Sequence, residues 1–294
     1  KIPVSDQVQY MNAYMQIPDQ SFLESLTNIY GDKSGATYKE MGFGLLNILG
    51  YFFSMGNYKL FIIEFTVLLY MLLMISIYKF YHYLNVRPFK EYVIASIFVL
   101  CFFNQFFNLT IHLQRQEIAS AVMVWVLVDS TIKQKINWFI ALIAVSLHTS
   151  VALFFPILFL LYFRNRLKIW HIFSLIVLFC FSMGYLSTIS SAFSAIFGDG
   201  IYGLNRLENA GTSDEDKFDT NIMLFFSIPL IFISARELWI YRKYLHNGLN
   251  MIFIAYTFLI CFSFFNPDNT MQYRYFMMSY TFMALILPLM FLRS

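Results

Sequence analysis

The chain has 294 residues, of which 59% are hydrophobic and only 13% charged, with 35 phenylalanines and a formal net charge of +3. Soluble domains carry roughly 25% charged residues, so this composition excludes an ordinary water-soluble fold and implies an all-α polytopic membrane protein. Cys101, Cys180 and Cys261 all lie in apolar runs with no CxxC spacing, so they read as small buried hydrophobes rather than a disulfide framework or a zinc site.

Residues 1–56 are mixed and polar, broken by Pro3, Pro18, Gly31 and Gly35, and read as an external loop with one or two short helices. Within it, the apolar stretch that starts at Glu40 is too short and too glycine-rich to span, and is expected to form an interfacial helix. The chain starts at Lys1 with no signal peptide, and a first transmembrane helix upstream is expected. Residues 57–294 are expected to form the transmembrane helical domain, beginning with spans at 57–78, 92–107 and from near Arg115 to Lys133. An apolar run at 137–163 and a span at 170–186 follow. An acidic external loop at 187–220 then precedes spans at 221–239, 249–265 and 275–292.

Loop charge sets the orientation. Short loops rich in Lys and Arg face the cytoplasm, which puts Lys79, Arg87 and Lys90 inside, residues 1–56 outside, and Lys133 and Lys135 inside again. If 137–163 were one ordinary span, Arg164, Arg166 and Lys168 would fall outside, and so would every later basic cluster. A fold-back near His148 removes the conflict. Its arms reach only about 18 and 22 Å as helices, which predicts a re-entrant or short-helix hairpin. Irregular backbone at that depth requires surrounding protein or a water-filled cavity. The hairpin tip would bring His148 to the external level of Arg115 and Arg274.

Ionisable groups at membrane depth are costly and mark substrate paths. The stretch from Leu109 to Ser150 sets Arg115, Glu117 and His148 in such surroundings, which points to a membrane enzyme handling a lipid-linked anion. Arg115 offers the planar fork that suits phosphate oxygens. The alternative, a snorkelling interfacial arginine, fits less well with His112, Gln114 and Gln116 beside it. His148 reads as a general base or as a donor to a departing phosphate, against the plainer reading of a histidine bonded to a backbone carbonyl. Glu117, two residues past Arg115, points to the other side of the helix, where a salt bridge is as reasonable as a role with substrate. Glu64 reads as structural, and Asp129 is expected to meet Lys133 one turn on. Arg274, in Gln272-Tyr273-Arg274-Tyr275, is a second phosphate ligand or an interfacial residue beside its tyrosines. Asp6 and Glu40 are external carboxylates of the kind usually solvated. No P-loop, GxGxxG, HExxH or nucleophile elbow is present, and the outer basic residues are too sparse for nucleic acid.

Arg115-Gln116 with Ala119 and Ala121, a basic turn, and His148-x-Ser150 with Pro156 together resemble the EpsG branch of the Wzy-type polysaccharide polymerases. Asp6-x-x-x-Tyr10, Glu40-x-Gly42-Phe43-x-Leu45-Leu46-Asn47 and Arg274-Tyr275 extend the resemblance, in order, over nearly the whole chain. Met41 departs from the proline frequent there. The resemblance implies a GT-C-like helical bundle in the bacterial cytoplasmic membrane with its site on the outer face. The implied reaction transfers a growing O-antigen, capsule or exopolysaccharide chain from undecaprenyl pyrophosphate onto an incoming lipid-linked repeat unit.

It implies no cofactor and no metal. Its partners would be the lipid-linked oligosaccharide, membrane lipids, and chain-length regulator and flippase proteins. Carried onto these residues, it makes His148 the first choice of base, with Asp6 or Glu40 next. Arg115, Arg274 and Gln116 would bind pyrophosphate, and Tyr10, Glu117 and Tyr273 the rest of the substrate. Two other readings stay open. One is an O-antigen ligase or other lipid-linked glycosyltransferase with the same arginines. The other is a transporter or flippase, which would show two related halves or a charged central path; the sequence has neither. A membrane acyltransferase would need a polar amphipathic platform that is also missing.

Overall fold

The computed structural model describes residues 6–17, 24, 40–102, 113–163, 248–265 and 269–291. Every regular element among them is helical: α1 (Asp6–Met15), α2 (Met41–Phe53), α3 (Tyr58–Leu84), α4 (Phe89–Phe102), α5 (Gln114–Lys133), α6 (Trp138–Leu147), a 3-10 turn (Thr149–Phe154), α7 (Phe155–Phe163), α8 (Gly248–Phe265) and α9 (Asn269–Phe291). The expected spans at 170–186 and 221–239 and the acidic loop at 187–220 lie outside the described residues, as does Cys180. Cys101 and Cys261 are free thiols.

Helix α3 starts where the sequence predicts a span, because the Asn57 side chain accepts hydrogen bonds from the backbone N–H groups of Lys59 (3.0 Å) and Leu60 (3.3 Å). It ends at Asn85, whose left-handed φ of 51° terminates the helix. Its 27 residues overrun the expected end at 78. Lys79 does not stop the helix, because its ammonium meets Asp129 of α5 at 3.3 Å. Asp129 also pairs with Lys133 at 2.8 Å, as the one-turn spacing predicts. Among the described residues, α3 is the one helix long and apolar enough by itself to cross a membrane. Helix α5 has the expected length. It carries Arg115, Glu117, Asp129 and Lys133, and buries most of its surface among the other helices.

The fold-back at His148 is present. Helix α6 stops at Leu147, and His148 is extended (φ −158°, ψ 125°). The chain then returns far enough for Trp138, at the start of α6, to pack its ring against Phe155 (5.7 Å) and Phe159 (5.1 Å) of α7. This is a short-helix hairpin, its two arms joined by the 3-10 turn.

The chain forms two compact units, residues 1–161 with 280–294, and residues 162–279. In the first, α3 packs along α5, and the end of α9 joins them. Pro288 lies inside α9 and offers no N–H to the Ala284 carbonyl one turn back. The buried Tyr81 hydroxyl of α3 fills that gap, pointing at the carbonyls of Ala284 (3.2 Å) and Leu285 (3.0 Å), with Ser96 Oγ of α4 at 2.9 Å on its other side. One phenol thus ties three helices at the point where a proline weakens one of them. Tyr81→Phe leaves the Ala284 carbonyl buried and unpaired. It is expected to cost about 1–3 kcal/mol of stability, seen as a lower thermal unfolding midpoint in detergent. In the second unit, Phe262 of α8 meets Tyr275 of α9 edge to face at 4.7 Å.

Candidate functional site

Four stretches far apart in sequence meet in the first unit. Arg115 stands in the first turn of α5, where the preceding Leu113 provides no side-chain cap. Its Nη1 lies 2.5 Å from Glu40 Oε2, and its Nε donates to the Tyr10 hydroxyl at 3.2 Å. The guanidinium carbon is 5.2 Å from the centre of the Tyr10 ring, and that ring packs on Phe43 of α2 at 5.4 Å. Glu40 immediately precedes α2 but does not cap it; its carboxylate turns to the arginine instead. The second carboxylate oxygen, Oε1, faces His148 Nε2 at 3.8 Å. Only 10% of the Glu40 side chain and 21% of the Arg115 side chain are exposed, so the pair interacts in a medium where charge counts for more than in bulk water.

The extended backbone at His148 sets the orientation of its ring. Ser150 N donates to His148 Nδ1 at 3.1 Å, and Ser150 Oγ lies 2.7 Å from the same nitrogen. A backbone N–H can only donate, so Nδ1 is an acceptor here. In the neutral ring the proton then sits on Nε2, on the side of Glu40. The backbone N–H two residues on fixes the tautomer, and the Ser150 hydroxyl adds a second contact to the same nitrogen. As a neutral ring, His148 is therefore arranged as a donor at Nε2, the second of the two roles read from the sequence.

Gly42 explains the other motif. A Cβ built there would lie 2.3 Å from Ser146 Oγ, 2.7 Å from the Ser146 carbonyl carbon and 2.9 Å from the Leu147 nitrogen. Two of those atoms are backbone of α6, so α2 and α6 approach this closely only because residue 42 has no side chain. The contact lies two residues from Glu40 on one strand of chain and one residue from His148 on the other. Gly42→Ala must push the helices apart. Overpacking costs about 1–3 kcal/mol, and misplacement of catalytic groups by about 1 Å costs on the order of 10²-fold in rate. The variant is thus expected to lose on the order of 10²-fold in activity together with a lowered thermal unfolding midpoint, measured side by side on one preparation.

The remaining residues singled out in the sequence stand elsewhere or are described less fully. Glu117 is buried on the far side of α5 from Arg115, where it accepts a hydrogen bond from Thr281 Oγ1 of α9 at 3.1 Å; the cluster does not include it, and its partner is a hydroxyl rather than a cation. Gln116 is buried in α5. Asp6 opens α1 and Tyr273 lies in α9, their side chains outside the described residues. Arg274 is half-buried in the part of α9 that belongs to the second unit. Among the described residues, no group of three or more His, Cys, Asp or Glu side chains is placed to hold a metal ion. Ser150 and Gly42 appear in the sequence motifs, but their roles depend on the fold.

The residues that meet here, Tyr10, Glu40, Gly42, Arg115, His148 and Ser150, are those of the motifs that run through the chain in order. The model of the EpsG family matches residues 4–294. This chain belongs to the EpsG family. Among curated proteins and among solved structures, none matches it. Membership in the EpsG family carries the coarse assignment: a membrane-associated protein of exopolysaccharide synthesis, with a polymerase-like role and lipid-linked polysaccharide substrates.

Proposed function

We propose that this EpsG protein is a membrane glycan polymerase whose site is the Glu40–Arg115–His148 cluster. It transfers a growing glycan from undecaprenyl pyrophosphate onto a lipid-linked repeat unit at the outer face of the cytoplasmic membrane. The supporting observation is the ion pair itself. Glu40 Oε2, 2.5 Å from the guanidinium, occupies the place that a phosphate oxygen of the donor would take. An arriving pyrophosphate competes for Arg115, and the carboxylate it displaces is left beside the acceptor, with an oxygen turned to the hydroxyl proton.

In the reaction, the acceptor hydroxyl oxygen attacks the anomeric carbon of the donor sugar. The bond from that carbon to the phosphate oxygen breaks, and its electron pair leaves on undecaprenyl pyrophosphate. Glu40 takes the hydroxyl proton. Arg115 and the Nε2–H of His148 face the charge that accumulates on the leaving group. Glu40 thus takes the role of base that the sequence offered first to His148, and His148 becomes the donor. Gln116, beside Arg115 in α5, serves as a further pyrophosphate contact. In this reading, by loop charge, residues 1–56 and this cluster face outward, and the Lys79 and Lys133 ends of α3 and α5 face inward.

The experiment that tests this supplies the purified protein with its undecaprenyl-pyrophosphate repeat unit as both donor and acceptor. A ladder of lengthening lipid-linked glycans is the expected result. Transfer in one step to a different acceptor, with no ladder, would make the protein a ligase.

A further inference from the structure

At the other end of α5 from Arg115, about 21 Å along the helix by its rise per residue, a cavity of about 310 Å³ opens between α3 and α5. Its floor is Asp129, of which only 11% of the side chain is exposed, and its rim carries the ammonium groups of Lys79 and Lys133. Each lysine pairs with a different oxygen of Asp129, at 3.3 and 2.8 Å. An ammonium has three N–H donors, so both lysines keep donors directed outward. Two positive charges over one negative leave the rim cationic. The Lys79 ammonium also lies 5.6 Å from the centre of the Trp125 ring, which holds it in place.

Tyr78 and Tyr83 complete the mouth. Leading to it along α3 is a single exposed apolar stripe at helical spacing, Val67, Leu68, Met71, Ile75 and Tyr78. Cationic donors at the head and an apolar track behind them match an amphiphile with an anionic head. Basic pockets between helices on the cytoplasmic side of membrane proteins bind phospholipid head groups in this way.

We propose that this cavity is a phosphate site for an anionic phospholipid of the inner leaflet, with Lys79 and Lys133 on the phosphate and the acyl chains along the α3 stripe. The site is separate from the polymerase cluster and does not depend on the reaction assigned there. Asp129 keeps the two ammonium groups side by side when the site is empty.

The test is native mass spectrometry of the full chain released from detergent, with phosphatidylglycerol, phosphatidylcholine or inorganic phosphate added. Phosphatidylglycerol is expected to remain bound at collision energies that strip phosphatidylcholine. The variant Lys79→Gln/Lys133→Gln is expected to bind it roughly 30-fold more weakly, since each basic residue near an anionic membrane contributes about a fivefold factor. Lys79→Arg/Lys133→Arg, which keeps both charges, should retain it. Removing both lysines strands Asp129, so the triple variant Lys79→Gln/Lys133→Gln/Asp129→Asn is measured as well and should match the double variant. Equal retention of phosphatidylglycerol by wild type and triple variant overturns the proposal, as does equal retention of the two lipids. Inorganic phosphate bound with no lipid retained overturns the lipid assignment and makes the occupant a soluble anion.

Discussion

Glu40→Gln is expected to slow glycan extension by about 10²–10⁴-fold, the range of a lost general base. Glutamine has the shape of glutamate and keeps an oxygen for Arg115, so the contacts among α2, α5 and Tyr10 survive. What disappears is the negative charge and the capacity to take a proton from the acceptor hydroxyl. The loss should therefore fall on kcat, with donor affinity equal to or above that of wild type, because no carboxylate then competes with pyrophosphate for the guanidinium. Glu40→Asp keeps the charge but is one methylene shorter. It cannot span from its position before α2 to an arginine now 2.5 Å from the longer side chain, and a loss smaller than that of glutamine is expected. Rates against donor concentration, with thermal unfolding as a check on folding, give both answers.

Arg115→Lys is the second large effect, with an expected loss of about 10²–10³-fold, as for removal of a single transition-state donor. The wild-type guanidinium contacts Tyr10 through Nε and Glu40 through Nη1, which fixes the plane in which its other N–H groups lie. Lysine keeps the charge as a point and loses that plane. Here kcat and donor affinity should both fall, unlike the pattern for Glu40→Gln. Arg115→Ala should be worse still, since it leaves a mostly buried carboxylate without its cation. A protein that extends glycans normally with lysine at 115 would have its pyrophosphate site elsewhere.

Arg115 and His148 stand out in the sequence because each is polar where its neighbours are hydrocarbon, and such placement is costly unless it serves a purpose. The hairpin is legible for a different reason: counting loop charges fails unless the chain turns back near His148. Glu40 does not stand out in this way. An external carboxylate in a polar segment resembles any solvated one, and only the family motif marks it. Its role depends on the close approach of α2 to α6 at Gly42, a contact between positions about a hundred residues apart.

The one-turn pair Asp129–Lys133 is readable from spacing, whereas the third member, Lys79, is not, and so hydropathy ended α3 too early. Glu117 shows the limit most plainly. Helix geometry turns it away from Arg115, but its partner Thr281 and the Tyr81 cover over the Pro288 break join residues more than 160 apart. No local pattern encodes such contacts. They come from how the helices pack.

The central claim is that Glu40 and Arg115 belong to one site for glycan extension. Ladder formation by the purified protein is compared for wild type, Glu40→Gln, Arg115→Ala and the double variant, each confirmed folded. Residues that act as a unit are not additive. The expected result is a ladder from wild type, a loss of about 10²-fold or more in each single variant, and no further loss in the double variant beyond the worse single one. A double variant whose loss is the product of the two single losses, or a ladder that survives either substitution undiminished, would contradict the account.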